Sequence, residues 1–172
     1  MDLRFNDDRQ RLWIDAWTGG AARVAGSTFE ANGTGVGADL NSAVEVRDGS
    51  RVAGNLAEGI AVSGSSTLNI EETVVENNGA QGIFVHQGSL VRVYGTTIRG
   101  NQLDGITLSD LSIGTGGSVP PGDDPVQILD NGGWGISCAG PSAITEAQSG
   151  FDDAGLGEVI FSWNTNGDTN CP

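Results

Sequence analysis

The chain has one histidine, His86, inside the stretch NNGAQGIFVHQGS that runs from Asn77 to Ser89. An imidazole can drive nucleophilic catalysis when it lies between a serine and a carboxylate. With several further His, Asp or Glu ligands it can hold a metal. Two carboxylates facing each other across a groove can cleave a glycosidic bond, and Asp15 and Asp39 come nearest to that condition. Acidic residues crowd two other stretches, TGGSVPPGDDP (115–125) and EAQSGFDDAGLGE (146–158). There Asp123, Asp124, Asp152, Asp153 and Glu158 make a carboxylate set suited to a hard cation such as calcium, although no EF-hand spacing is present. No phosphate loop, dinucleotide fingerprint or metal-hydrolase motif occurs. Which of these groups meet depends on the elements that carry them.

Those elements repeat. NLAEGIAVS begins at Asn55, NGAQGIFVH at Asn78 and NQLDGITLS at Asn101, a step of 23 residues. NGGWGISCA follows at Asn131 after a step of 30, and NTNGDTNCP at Asn164 after 33. Asn32 opens an upstream copy with one residue missing. Each copy carries three short apolar bursts, such as Ile83/Val85, Val91/Val93 and the one centred on Ile98. Alternation within a burst sends one set of side chains inward and the other outward, because strand side chains have a period of two. Three strands at equivalent places in each turn make a solenoid of parallel sheets. The predicted fold class is all-β, a right-handed parallel β-helix of about six to seven coils, the hand that parallel crossovers prefer. Asn32, Asn55, Asn78, Asn101, Asn131 and Asn164 are expected at the bends, because asparagine tolerates left-handed backbone. Their amides are expected to bond from coil to coil as a ladder.

The recurring N-x-x-x-G-I-x-[VL] phrase resembles that of secreted bacterial right-handed β-helix repeat proteins of the pectate-lyase-like superfamily, over nearly the whole chain. The resemblance implies the fold. It leaves open lyases, hydrolases, epimerases and tailspikes, since fold alone does not specify activity.

The repeat also places the chemistry. Trp17, Asp39, Ser63, His86, Ser109 and Ala139 share one outward row, so Ser63 separates His86 from Asp39, the wrong order for a triad. Flanking serines also make His86 a poor metal centre. Trp13, Trp17 and Phe84 point outward from the first-strand face with His86 beside Phe84, and exposed aromatics on a flat sheet can stack on sugar rings. Trp13, Trp17, Asp39, Phe84 and His86 are therefore the candidate carbohydrate-binding residues. Glu76 and Arg99 stack in neighbouring coils and read as a surface ion pair worth about 0–1 kcal/mol. Cys138 and Cys171 each stand seven residues after a ladder asparagine. They share an inward position in adjacent coils, roughly 4.8 Å apart, within reach of a disulfide.

Composition bounds the partners. The chain of 172 residues reads as one domain, a size at which a real core can be buried, and its 28 glycines fit many short strands and turns. The formal charge of −14 argues against nucleic acid, and no apolar run is long enough to span a membrane. All eight cations are arginines and none lies beyond Arg99. The opening residues show no signal peptide, while a disulfide would suit a secreted or cell-surface setting. Both ends look bare, which suits either a piece of a longer β-helix or homo-oligomerisation through uncapped coils. The reading that follows is a non-catalytic β-helix module with a polysaccharide as its partner and calcium as its candidate ion. A lyase-like carbohydrate-active enzyme and a structural self-associating solenoid are the alternatives.

Overall fold

A computed structural model describes residues 2–6, 11–117, 125–144, 159–162, 164 and 166–171. The three bursts of each repeat form three short strands, and like strands stack into three sheets. Sheet A contains β1 (Asp2–Asn6), β2 (Arg11–Ala16), β5 (Val36–Ala38), β8 (Ile60–Val62), β11 (Ile83–Val85), β14 (Ile106–Ser109), β17 (Trp134–Ala139) and β20 (Gly167–Thr169). Sheet B contains β3 (Ala21–Ala25), β6 (Ala43–Arg47), β9 (Thr67–Glu71), β12 (Leu90–Tyr94), β15 (Ile113–Gly117) and β18 (Ala143–Ile144). Sheet C contains β4 (Thr28–Glu30), β7 (Arg51–Ala53), β10 (Val74–Glu76), β13 (Thr97–Arg99), β16 (Val126–Leu129) and β19 (Val159–Ser162). The pairing is parallel from β2 onward, and β1 runs antiparallel to β2. The chain is a parallel β-helix, as the repeat predicts.

The core is a set of apolar columns. Ile60, Ile83, Ile106 and Ile136 stack on sheet A, Val46, Ile70 and Val93 on sheet B, and Phe29, Val52, Val75, Ile98 and Ile128 on sheet C. All are buried. Each such side chain withdrawn from water contributes about 1.5–3 kcal/mol, so the alternating bursts pull the coil closed.

Two expectations need correction. About four turns have the 23-residue period: Ile14, Val36, Ile60, Ile83 and Ile106 occupy one inward column at steps of 22, 24, 23 and 23 residues. The count of six to seven such coils was too high, because the two turns that follow are enlarged to 30 and 33 residues by insertions. Both insertions leave from sheet B, after β15 and β18, and rejoin at sheet C. The N-terminal end of sheet A is not bare either, since β1 pairs along the edge of β2.

The asparagine ladder is present and more fully bonded than expected. The main-chain N–H and Nδ2 of Asn55 both donate to Asn78 Oδ1, at 3.1 and 2.9 Å. Asn78 repeats this toward Asn101, Asn101 toward Asn131, and Asn131 toward Asn164. Nδ2 also donates to the carbonyl of the middle residue in the sheet C strand one coil earlier, such as Val52 O for Asn78. The bend itself lies one residue earlier. Ala31, Gly54, Asn77, Gly100 and Asp130 carry φ between 52° and 62°, and the ladder asparagines do not. Asparagine is selected at this position for its amide, not for backbone tolerance.

The Gly-Ile phrase has a steric cause. A Cβ on Gly82 would sit 2.7 Å from Gly105 O and 2.8 Å from both Asn101 Nδ2 and Ile98 Cγ2. Gly35, Gly59 and Gly105 are equally hemmed in by the next coil. A second ladder, unforeseen, lines the turn between sheets A and B. The N–H groups of Ser42, Ser66, Ser89 and Ser112 donate to the hydroxyls of Ser66, Ser89, Ser112 and Ser142. Its signal was the recurrence of serine at these positions.

Glu76 also departs from expectation. Its carboxylate accepts from Arg51 Nε and Nη2 at 2.8 and 2.7 Å, and from Arg99 Nε and Nη2 at 2.8 Å each. Two forks close over it and leave the side chain 9% exposed, so this is not an isolated surface pair. Burial pushes its pKa up, but the hydrogen bonds and charges of Arg99 and Arg51 prevail and hold it below the ordinary glutamate value.

Two predictions follow from these contacts. Asn78→Ala leaves buried donors of Asn55 unmatched and is expected to cost about 2–4 kcal/mol. It should be read as a lower urea midpoint at unchanged m-value, and a midpoint equal to wild type would refute the ladder's role. A depressed folded-state pKa contributes stability that is present above the unfolded value and lost as pH falls through the folded one. Glu76→Gln should therefore lower the melting temperature near neutrality, with the gap from wild type shrinking below about pH 4. A gap that does not change with pH would count against ionisation as the source.

Candidate binding face

Outward positions of sheet A form the face that carries the candidate residues. Register places Trp17, Asp39, Ser63, His86, Ser109 and Ala139 in one row across the coils, as predicted. A second row holds Asp15, Gly37, Ala61, Phe84, Thr107 and Ser137. Between the aromatic ends of the two rows, glycine and alanine lower the surface. A depression of about 220 Å³ results, lined among others by Asp15, Thr34, Gly37, Asp39, Ala61 and Ser63.

Trp17 is 58% exposed at one end. At the other, the rings of Phe84 and His86 stack nearly parallel, with centroids 4.7 Å apart and planes 11° apart. They project from positions two residues apart on the same side of the sheet, so each ring covers part of a face of the other. Three coil spacings separate Trp17 from this pair, roughly 14 Å at the backbone. Trp13 lies in β2, and its side chain lies outside the described residues.

Asp39 is the anchored polar group of the depression. Its Oδ1 accepts from Ser63 Oγ at 2.6 Å and from Leu40 N–H at 2.8 Å. The hydroxyl of Ser63 thus points to the carboxylate and not to His86. A serine so engaged does not make the Ser–His hydrogen bond that a triad uses. The rim carries Thr34, whose hydroxyl donates to Glu58 Oε2 at 3.1 Å. Asp15 and Asp39 sit on adjacent strands two positions apart, roughly 8 Å at the backbone from strand spacing and rise.

Thr34, Ala61 and Ser63 were not singled out as site residues from sequence. Their signal was the run of small outward residues between Asp15 and Phe84. The calcium candidates Asp123, Asp124, Asp152, Asp153 and Glu158 lie outside the described residues. Among the described residues no group of three or more His, Cys, Asp or Glu side chains is placed to hold a metal. Cys138 and Cys171 are bonded, with Cα atoms 4.8 Å apart, and tie β20 to β17. No helix among the described residues is long and apolar enough to cross a membrane.

The Ser63 geometry makes a prediction. A fluorophosphonate that labels activated serines should leave the intact mass of the protein unchanged. An adduct mapped to Ser63 would overturn the assignment of its hydroxyl to Asp39.

Comparison with known proteins agrees with this architecture. No curated protein and no solved structure matches the chain significantly. The family model described as "Right handed beta helix region" matches residues 13–131, which spans the regular coils and the whole candidate face from β2 to β14. The chain belongs to the right-handed β-helix family.

Proposed function

We propose that the protein is a non-catalytic β-helix module that binds carbohydrate on the outer face of sheet A. The observation that carries this reading is the bed between exposed Trp17 and the Phe84–His86 stack. An apolar ring face, a floor of small residues and fixed polar groups are what a pyranose needs: stacking for its C–H face, close approach, and hydroxyl partners. The roughly 14 Å between the aromatic ends suits a short run of sugar rings lying along the helix axis. The disulfide supports a secreted or cell-surface setting, because such bonds persist in oxidising compartments.

Titration calorimetry against a panel of oligosaccharides tests the proposal. Trp17→Ala and Phe84→Ala should each weaken binding about three- to tenfold, the range expected for loss of one aromatic contact. Both side chains face outward, so the urea midpoint should stay within about 0.5 kcal/mol of wild type. Absence of binding across the panel would refute the reading and leave the self-associating solenoid.

A second reading, a polysaccharide-cleaving enzyme, has one observation in its favour. Asp15 and Asp39 line the same depression from neighbouring coils, and glycosidases use a pair of carboxylates flanking the scissile bond. New reducing ends or unsaturated products in the same incubations would establish it.

A further inference from the structure

The inward columns of sheet A close on a strand whose own side chains bring little apolar surface. Register sets Thr169 of β20 beside Ile136 of β17. The isoleucine column that runs through Ile60, Ile83, Ile106 and Ile136 therefore ends on a hydroxyl. Ile136 is buried, whereas Asn166, Thr169 and Asn170 are exposed. Gly167 has no side chain to contribute. The apolar residue that fills this column in the coils before β20, and draws each of them shut, is missing here.

The described contacts that hold β20 are polar or covalent. Asn166 N–H donates to Gly133 O at 3.0 Å, and Asn170 N–H donates to Ile136 O at 3.2 Å. Cys138 N–H donates to Asn170 Oδ1 at 2.7 Å. Water competes for such bonds where the residues are exposed, so each adds little on its own. The segment is pinned at two points. Before it, Asn164 Oδ1 accepts from the N–H and Nδ2 of Asn131, and Asn164 Nδ2 donates to Ile128 O. After it, Cys171 is bonded to Cys138. Both cysteines pack against the core yet keep part of their surface open to solvent, where a small thiol can reach them.

We infer that Cys138–Cys171 is a redox-operated clasp, which a dithiol opens to release residues 166–171 from β17 while the earlier coils stay closed. The dithiol attacks one sulfur, and its second thiol resolves the mixed disulfide. The donor leaves as its own disulfide, having passed two electrons and two protons to Cys138 and Cys171, which become thiols. The segment is then pinned at Asn164 alone, and the chain entropy that the cross-link suppressed favours release. Gly133 O, Ile136 O and Cys138 N–H lose their partners, and β17 becomes the edge of sheet A. An oxidant recloses the same pair, because these are the two cysteines of the chain.

Hydrogen exchange read by mass spectrometry tests this on the intact protein, before and after dithiothreitol. Alkylation should count two thiols after treatment and none before it. Amides in peptides covering 166–171 and 134–139 should exchange at least about tenfold faster once reduced, while those around Asn55 and Asn78 keep their rate. Reoxidation should restore the slow rate, and Cys171→Ser should match reduced wild type with no reductant present. A bond that survives dithiothreitol in the folded protein overturns the inference. Slow exchange at 166–171 in reduced wild type or in Cys171→Ser also overturns it, since the strand would hold without the bond. Faster exchange at Asn55 and Asn78 overturns it too, because reduction would then unfold the solenoid and not open one clasp.

Discussion

Every feature of this protein depends on one coil stacking on the next in unbroken register. Parallel strands leave half of their backbone groups facing the neighbouring coil, and a buried group without a partner costs more than a bond returns. Within the strands the neighbouring strand supplies the partner. At the bends, carbonyls of the neighbouring coil pair with some of the N–H groups, as Gly64 O does with Asn41 N–H, and two side-chain ladders take others. The asparagine amides at the turn from sheet C to sheet A and the serine hydroxyls at the turn from sheet A to sheet B receive the turn N–H groups of the preceding coil. The coil therefore continues only where the next coil provides an asparagine and a serine at the right step. The insertions obey this constraint, since the ladders resume unbroken at Asn131, Ser142 and Asn164.

The same stacking generates the surface. Each outward row gathers one residue per coil, so the chemistry of a face is a list of side chains sampled at the repeat step. On sheets B and C that sampling alternates charge, and arginines bridge acids of neighbouring coils. On sheet A it places glycine and alanine between aromatic ends, and Asp15 and Asp39 line the hollow they make. One scaffold thus carries faces of different chemistry, each set by what the repeat step samples.

His86 illustrates how much of the site was legible. Its partners in the row and its distance from Asp39 follow from adding a constant step along a parallel ladder, whereas its stacking on Phe84 is a matter of rotamers. Cys138 and Cys171 were paired by the same arithmetic, and the bonded Cα separation of 4.8 Å equals one coil spacing. The bend lies one residue earlier than expected, because its positions, Ala31, Gly54, Asn77, Gly100 and Asp130, hold four different residue types. The asparagine next to them is the visible constant, though its job is to accept hydrogen bonds.

The sequence by itself determined the period, the inward columns, the membership of each outward row and the cysteine pair. These depend only on position along a repeating ladder, which a spacing of 23 residues encodes directly. The tertiary structure alone decided that Glu76 is enclosed by two arginines, that Ser63 is bonded to Asp39, and that the small residues of sheet A deepen into a hollow. Those outcomes depend on rotamers and desolvation set jointly by several coils. Arg51 reaches Glu76 diagonally, two positions from its own register partner's row, and no linear step announces such a contact.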